Sequence, residues 1–254
     1  MRIALISDIH ANLPALEACL EDVAQQQIDA VYCLGDLVGY NVWPNEVIER
    51  MQRERIPTIA GNYDVGIGTA SDDCGCAYKT DHERALGKKS IAYTNATITE
   101  SNRAYLRRLP SHFVLEYRLA TDQLYRVYLV HGSPRRVNEY LYEDRSEESL
   151  RRIVEGIEAD ILVCGHTHIP YHRTITAFGG RNVHIINAGA VGKPKDGDPR
   201  ACYCVLTLTL SPDGTAIEPQ VEFRRVPYDI ERAASAIIAS PLPDEYAEML
   251  RYAR

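Results

Sequence analysis

Residues 161–170 read ILVCGHTHIP: four apolar residues, a glycine, then two histidines two positions apart. A short apolar run that stops at a glycine is the pattern of a strand buried on both faces. Polar side chains just past its carboxyl end are what an open α/β sheet offers to a ligand. The same grammar recurs along the chain. RIALIS from Arg2 leads to Asp8 and His10, AVYCLG from Ala30 to Asp36, IPTIAG from Ile56 to Asn62, and RVYLVHG from Arg126 ends on His131. VHIINAG from Val183 is a sixth buried run. Helical spacing fills the early gaps, with Leu16, Leu20 and Val23 inside 13–26 and Val47, Ile48 and Met51 inside 46–53. Strand and helix alternate, so the first half is α/β. Two charged helices are predicted over 81–109 and another over 147–156. CYCVLTLTL and IEPQVEFRRV, parted by the turn SPDGT, predict a second sheet packed on the first. The tail from about Asp229 reads as two short helices split at SPLP.

A chain of 254 residues, 45% hydrophobic, can bury a sizeable core, and no linker divides it. It is expected to form one domain over 1–254. No apolar run approaches the ~20 residues of a membrane helix, and the opening run breaks at Asp8, too early for a secretory signal. A soluble, cytoplasmic protein follows as the expectation. Seven scattered cysteines, several inside apolar runs (Cys33, Cys164), point to reduced thiols used as small core residues. A net charge of −7 argues against a nonspecific grip on nucleic-acid phosphates. A small substrate is expected, with neither a membrane nor a stable nucleic-acid complex as partner, and the oligomeric state stays open.

The strand ends carry Asp8, His10, Asp36, Asn62, His131, His166 and His168. In extended chain, side chains at i and i+2 point the same way, so Asp8 with His10 and His166 with His168 can each act as a pair. Gly165 leaves room for something to approach closely. Taken singly, Asp or Asn after a strand is an ordinary helix cap, and a lone histidine is a core or surface residue. Seven metal-capable residues at the ends of five strands are not explained that way. Nitrogen and oxygen donors without thiolate suit manganese, iron or zinc. The number exceeds one ion's needs. Two ions about 3.5 to 4 Å apart, sharing one carboxylate, would use all seven, with Asp36 as the natural bridge. His82, His112, His172 and His184 lack this placement and are assigned to structure or solvent.

In order, D-x-H, G-D-x-x-G, G-N-x-D, V-H-G and G-H-x-H span Asp8 to His168. Together they resemble the calcineurin-like metallophosphoesterases. The resemblance implies an α/β (α+β) four-layer sandwich of two mixed sheets flanked by helices. It also implies a dinuclear centre that cleaves phosphate esters or anhydrides through a metal-bound hydroxide. By motif match one metal takes Asp8, His10, Asp36 and His168, and the other takes Asp36, Asn62, His131 and His166. Manganese is the first expectation, with iron, zinc or nickel as alternatives.

DIHANLPAL, GYNVWPNEV and AGAVGKPKDGDPRACY are similar to the bacterial branch holding phosphodiesterases and relatives of dinucleoside polyphosphate hydrolases. That places Asn12, Lys193, Lys195 and Arg200 as candidates for substrate phosphates and a nucleotide-derived molecule as candidate substrate. One departure stands out. Where many members have histidine in G-N-H-D, as acid for the leaving oxygen, this chain has Tyr63, while Asp64, which would orient such a histidine, is kept. The alternatives are a phosphomonoesterase or protein phosphatase, or a noncatalytic metal-bearing interaction scaffold. Cys74 and Cys76 with Cys202 and Cys204 would form a rival structural zinc site if they converged. A packed or lid-forming loop is the preferred reading.

Overall fold

The computed structural model describes all of residues 1–254. The chain runs from β1 (Arg2–Ile6) through α1 (Leu13–Gln25) to β2 (Ala30–Cys33). Next come α2 (Pro44–Arg53), α3 (Asn62–Gly68), α4 (Asp81–Thr97) and α5 (Glu100–Leu106). A hairpin of β3 (His112–Arg118) and β4 (Leu124–Val130) continues through α6 (Glu147–Glu155) to β5 (Ile161–Cys164), then β6 (Tyr171–Thr176) and β7 (Asn182–Asn187). The long hairpin of β8 (Ala201–Leu210) and β9 (Ile217–Val226) precedes α7 (Ile230–Ile238) and α8 (Glu245–Tyr252).

Two mixed sheets result, ordered β2-β1-β8-β9 and β3-β4-β5-β7-β6. They are not divided by halves of the chain, as the sequence reading had it. Strand β8 lies antiparallel beside β1, with Ile3 opposite Leu206, because β1 is buried at both edges and on both faces. Its period of two makes the layers. Ile3 and Leu5 face Val127, Leu129, Ile161 and Val163 across the sandwich, whereas Ala4 and Ile6 face α1, α2 and α3. Helix α6 covers the outer face of the second sheet through Leu150, Ile153 and Val154. The tail helices pack Ala233, Ile237, Tyr246 and Leu250 around Leu86 of α4. No helix is long and apolar enough to cross a membrane.

Two local readings change. IPTIAG makes only the isolated bridge Cys33 to Thr58, since Pro57 has no N–H to give a ladder and the chain turns at once into α3. Strand β3 was not anticipated: it is an edge strand with alternating exposed and half-buried residues, several of them charged, so no apolar run marks it.

Candidate metal centre

All seven strand-end residues are buried, none more than 3% exposed, and they converge at the carboxyl ends of β1, β2, β4 and β5. The loops are laced by backbone bonds: Asp8 N–H to Gly35 O, His10 N–H to Asp36 O and Gly165 N–H to His131 O. The convergence does not come from extended chain. Asp8, His10, Asp36, His166 and His168 have φ of 52°, 48°, 56°, 66° and 64°. At roughly 1–2 kcal/mol each, five left-handed residues cost an amount comparable to a domain's whole net stability. Only the surrounding core can hold them. Asp8 and His10 stay together, whereas His166 and His168 part. His168 joins Asp8 and His10, while His166 joins Asp36 and His131, the donor atoms of each trio lying within 4.8 Å of one another.

Glycine makes the approach possible. A Cβ on Gly165 would lie 2.1 Å from Ser7 Oγ and 2.6 Å from Asp8 Oδ2. Asp8 Oδ2 accepts from Ser7 Oγ at 2.7 Å and from His166 N–H at 3.0 Å, leaving Oδ1 buried with no partner. Asp36 Oδ1 accepts from Tyr63 N–H at 2.8 Å, and its Oδ2 lies 3.3 Å from His131 Nε2 and 3.6 Å from His10 Nε2. One carboxylate oxygen therefore sits between the two groups. Asn62 donates through Nδ2 to Cys74 O at 2.8 Å, which turns its Oδ1 to within 3.1 Å of His131 Nε2.

Three histidines donate their Nδ1–H to carbonyls: His10 to Val38 at 2.9 Å, His131 to Leu34 at 2.8 Å, His168 to Lys193 at 2.6 Å. A carbonyl can only accept, so a neutral ring keeps its lone pair on Nε2, facing the site. The Nε2 atoms of His10 and His168 stand 3.2 Å apart. Burial lowers both pKa values, that of His168 to about 3, so neither ring gains a proton near neutrality to relieve the opposed lone pairs. Burial also takes His166 to about 3, and its Nε2 has no partner. His131 differs. Burial pulls it down, but Asp36 raises it to about 9. Burial would raise Asp8, yet the facing histidines, His168 foremost, hold it well below the usual carboxylate range. The lone-pair donors, the orphaned oxygen and the orphaned nitrogen fit a pair of divalent ions.

Other expected residues take different places. Asn12 is fully buried and saturated: Oδ1 caps α1 at Ala15 N–H, and Nδ2 donates to Gly192 O and Tyr228 Oη. Arg200 pairs with Asp198 two residues away, at 2.6 Å. Asn12 offers no free group to a phosphate, which corrects that expectation, whereas Arg200 is exposed and keeps its Nη1 without a partner. Asp64 accepts from the backbone N–H groups of Asp36, Leu37 and Gly61, so it fixes the loop instead of orienting residue 63. Tyr63 is buried, its ring 5.3 Å from that of His10, and its hydroxyl has no partner. Lys193 and Lys195 do border the cavity beside the centre. His172 and His184 pair with each other at 2.9 Å on β6 and β7, His112 stacks on Tyr128, and His82 lies 3.9 Å from Glu245.

Sequence reasoning missed Asn187, whose Nδ2 holds Gly165 O at 2.6 Å and Thr167 Oγ1 at 3.0 Å. Its place at the end of VHIIN was the available signal. It also missed Tyr140, whose ring lies against His166, centroids 4.0 Å apart and planes tilted by 33°. The four cysteines do not converge, since Cys204 lies between the sheets and Cys74 among the helices. Replacing Cys74 and Cys76 by serine is expected to leave the number of bound ions unchanged. Elemental analysis checks this, and loss of one zinc would restore the rival site.

Buried imidazoles and carboxylates at the ends of two mixed sheets, in two adjoining trios, define a metal-dependent hydrolase of phosphoester bonds. The sequence profile of the calcineurin-like phosphoesterase superfamily domain matches residues 1–211, and the chain belongs to that family. It is 30% identical to the uncharacterized protein MJ0912 of Methanocaldococcus jannaschii, covering 98% of this chain and 96% of that one. The phosphodiesterase YfcE of Escherichia coli K12 is 26% identical over 81% of this chain and 87% of its own. A crystal structure of a metallophosphoesterase from Sphaerobacter thermophilus superposes with a TM-score of 0.72 at 29% identity, covering 100% of this chain and 99% of that one.

Proposed function

We propose that the chain hydrolyses a phosphodiester or phosphoanhydride with two divalent ions. One is held by Asp8, His10, Asp36 and His168, the other by Asp36, Asn62, His131 and His166. Manganese is favoured, with iron, zinc or nickel as alternatives. The observation that carries this reading is the pair of opposed Nε2 atoms on His10 and His168, 3.2 Å apart beside the unpartnered Asp8 Oδ1, with each ring's Nδ1–H given to a backbone carbonyl, an arrangement that a cation satisfies. When bound, the ions supply an activated water and positive charge for the phosphoryl oxygens. The chain supplies the rest. Its buried carbonyls fix three imidazoles in one tautomer, Asp36 shares one oxygen between the groups, and the cavity lysines hold phosphate. So complete a donor set favours an enzyme over a scaffold.

Tyr63 decides the leaving group. Burial, reinforced by the neighbouring Tyr40, holds its phenol well above the usual value, so it is a poor proton donor. Anhydrides and aryl diesters, which leave as weak bases, are the favoured substrates; alkyl monoesters are not. Tyr63→His is expected to raise kcat/KM on alkyl esters about tenfold. That falls short of the ~10²–10⁴ of a well-held acid, because Asp64 is already committed to three backbone amides. A leaving-group series compared at equal metal content reads this. Natural enzyme that cleaves alkyl monoesters as fast as anhydrides would point instead to a phosphomonoesterase. Elemental analysis of the most active preparation should give two ions per chain, and full activity at one ion would end the dinuclear reading.

Metal uptake should depend on pH through His131. Its pKa is raised to about 9, so it is protonated at neutrality without metal, and the proton must leave before the nitrogen can bind. Affinity at that position should rise about tenfold per pH unit up to about 9 and then level off. His166 and His168, neutral above about 3, add nothing in that range. Calorimetry in buffers of different ionisation enthalpy should count one proton released per chain at pH 7, and a count of zero would remove the assignment.

A further inference from the structure

The four histidines of the centre are not held in the same way. His10, His131 and His168 each give Nδ1–H to a backbone carbonyl, a bond that fixes both the tautomer and the direction of a ligating ring. His166 has no such carbonyl. Its backbone N–H is tied to Asp8 Oδ2 at 3.0 Å, but its ring makes no hydrogen bond, and the buried Nε2 is without a partner. A neutral imidazole so placed can turn about its side-chain bonds unless packing stops it. Two rings bound it: His131, with centroids 5.0 Å apart, and Tyr140, with centroids 4.0 Å apart and planes tilted by 33°.

Tyr140 can stop that rotation because its own loop is anchored. After His131 the chain winds on Gly132, where an added Cβ would meet Val137 O at 2.4 Å and Glu139 O at 2.8 Å. The Tyr140 carbonyl accepts from Arg145 Nη1 at 3.1 Å, and the same guanidinium holds Glu139 and Ser149 Oγ of α6, both at 2.9 Å. Tyr171 Oη on β6 donates to Leu141 O at 2.9 Å. Asn138 Nδ2 donates to Gly75 O at 3.0 Å, which clips the loop to the segment whose Cys74 carbonyl turns Asn62. Tyr142 stacks on Tyr140 with centroids 5.6 Å apart and planes 8° apart. The ring that faces His166 is braced by a helix, a strand and a second loop.

We propose that Tyr140 is a positioning residue for the second ion, holding the His166 imidazole by ring contact where the other three histidines use a carbonyl. The assignment rests on the dinuclear reading and adds a residue that sets the affinity of one ion without touching it. The flat ring carries the effect, so the hydroxyl is dispensable. Removing the ring frees His166 alone and leaves the three carbonyl-held imidazoles as they are.

The test is a double-mutant cycle, read by calorimetric titration of manganese(II) into the metal-free protein. Tyr140→Ala is expected to weaken one of the two ions about tenfold and to leave the other unchanged. Tyr140→Phe should bind both as the natural protein does. In a His166→Ala background, Tyr140→Ala should change nothing further, because the residue acts through that ring. Electron paramagnetic resonance adds a signature: at matched concentrations the natural protein should show a spin-coupled manganese pair, and Tyr140→Ala the signal of isolated ions. Should Tyr140→Ala not fold, Tyr140→Leu, which keeps apolar bulk without a flat ring, is expected to give the same loss. Unchanged affinities in the alanine or leucine variant, an equal loss in Tyr140→Phe, or a loss that persists without His166 would overturn the assignment. Natural protein that saturates at one ion removes the dinuclear reading and this assignment together. Two ions in the natural protein, with no effect of the Tyr140 substitutions, remove the assignment alone.

Discussion

Asp36→Asn should leave a folded protein that binds at most one ion tightly and has lost activity on the order of 10³-fold, the equivalent of several kcal/mol of transition-state stabilisation. The replaced carboxylate is the only one near histidines of both groups, 3.3 Å from His131 and 3.6 Å from His10. Tyr63 N–H already holds Oδ1, so the asparagine oxygen would take that position and turn its NH₂ toward the two imidazoles. The imidazole nitrogens would accept from that amide, so the lone pairs that a cation needs would be occupied and no anionic oxygen would remain between the two groups. His131 would also lose the partner that raises its pKa, and would be neutral at pH values where the natural protein carries charge. His172→Ala is the control. That residue bonds only His184 on the outer strands and should change neither metal content nor rate. Equal losses from the two substitutions, both in folded protein, would contradict the placement of the centre.

Gly61→Ala should be nearly as damaging although it alters no metal-binding group. The added Cβ would lie 2.1 Å from Asp36 Oδ1 and 2.3 Å from Asp36 N, and the second contact is with backbone that cannot swing aside. Overpacking of this kind costs about 3 kcal/mol, or roughly 6–12 °C in Tm for a chain of this size. It also displaces the oxygen between the two groups, so metal content should fall with Tm. Thermal unfolding with and without added manganese reads both effects. An unchanged Tm together with full metal content would show that the close approach is not needed.

The strands β1 and β5 were legible because they are buried on both faces and read as apolar runs, and β4 and β7 because their last residues are buried beside them. Strand β3 was hidden by its place at an edge, where charged residues are tolerated. The allotment of strands to sheets was not legible either. It depends on β8 meeting β1 from about 200 residues away, and no local pattern records that pairing. At the centre, residue types and order were enough to pick out the seven strand-end residues, and the i, i+2 pairing holds for Asp8 with His10 but not for His166 with His168. Left-handed backbone, not extended chain, sends His166 and His168 to separate trios. Asn12 was misjudged because a helix start and two acceptors had already claimed its polar atoms. Tyr140 escaped notice because His166, the ring it lies against, is distant in sequence.

The tail helices carry a further consequence. The family profile ends at residue 211, yet Tyr246, Met249 and Arg254, on and just after α8, form part of the cavity wall. The buried acids and imidazoles all lie upstream of that point. The rest of that wall, Tyr40, Lys79, Tyr140, Lys193 and Lys195 among it, lies upstream as well, so the last turns close one side of a cavity that the shared part of the chain begins. Variation in those turns would reshape the mouth of the cavity and leave the seven strand-end residues where they are.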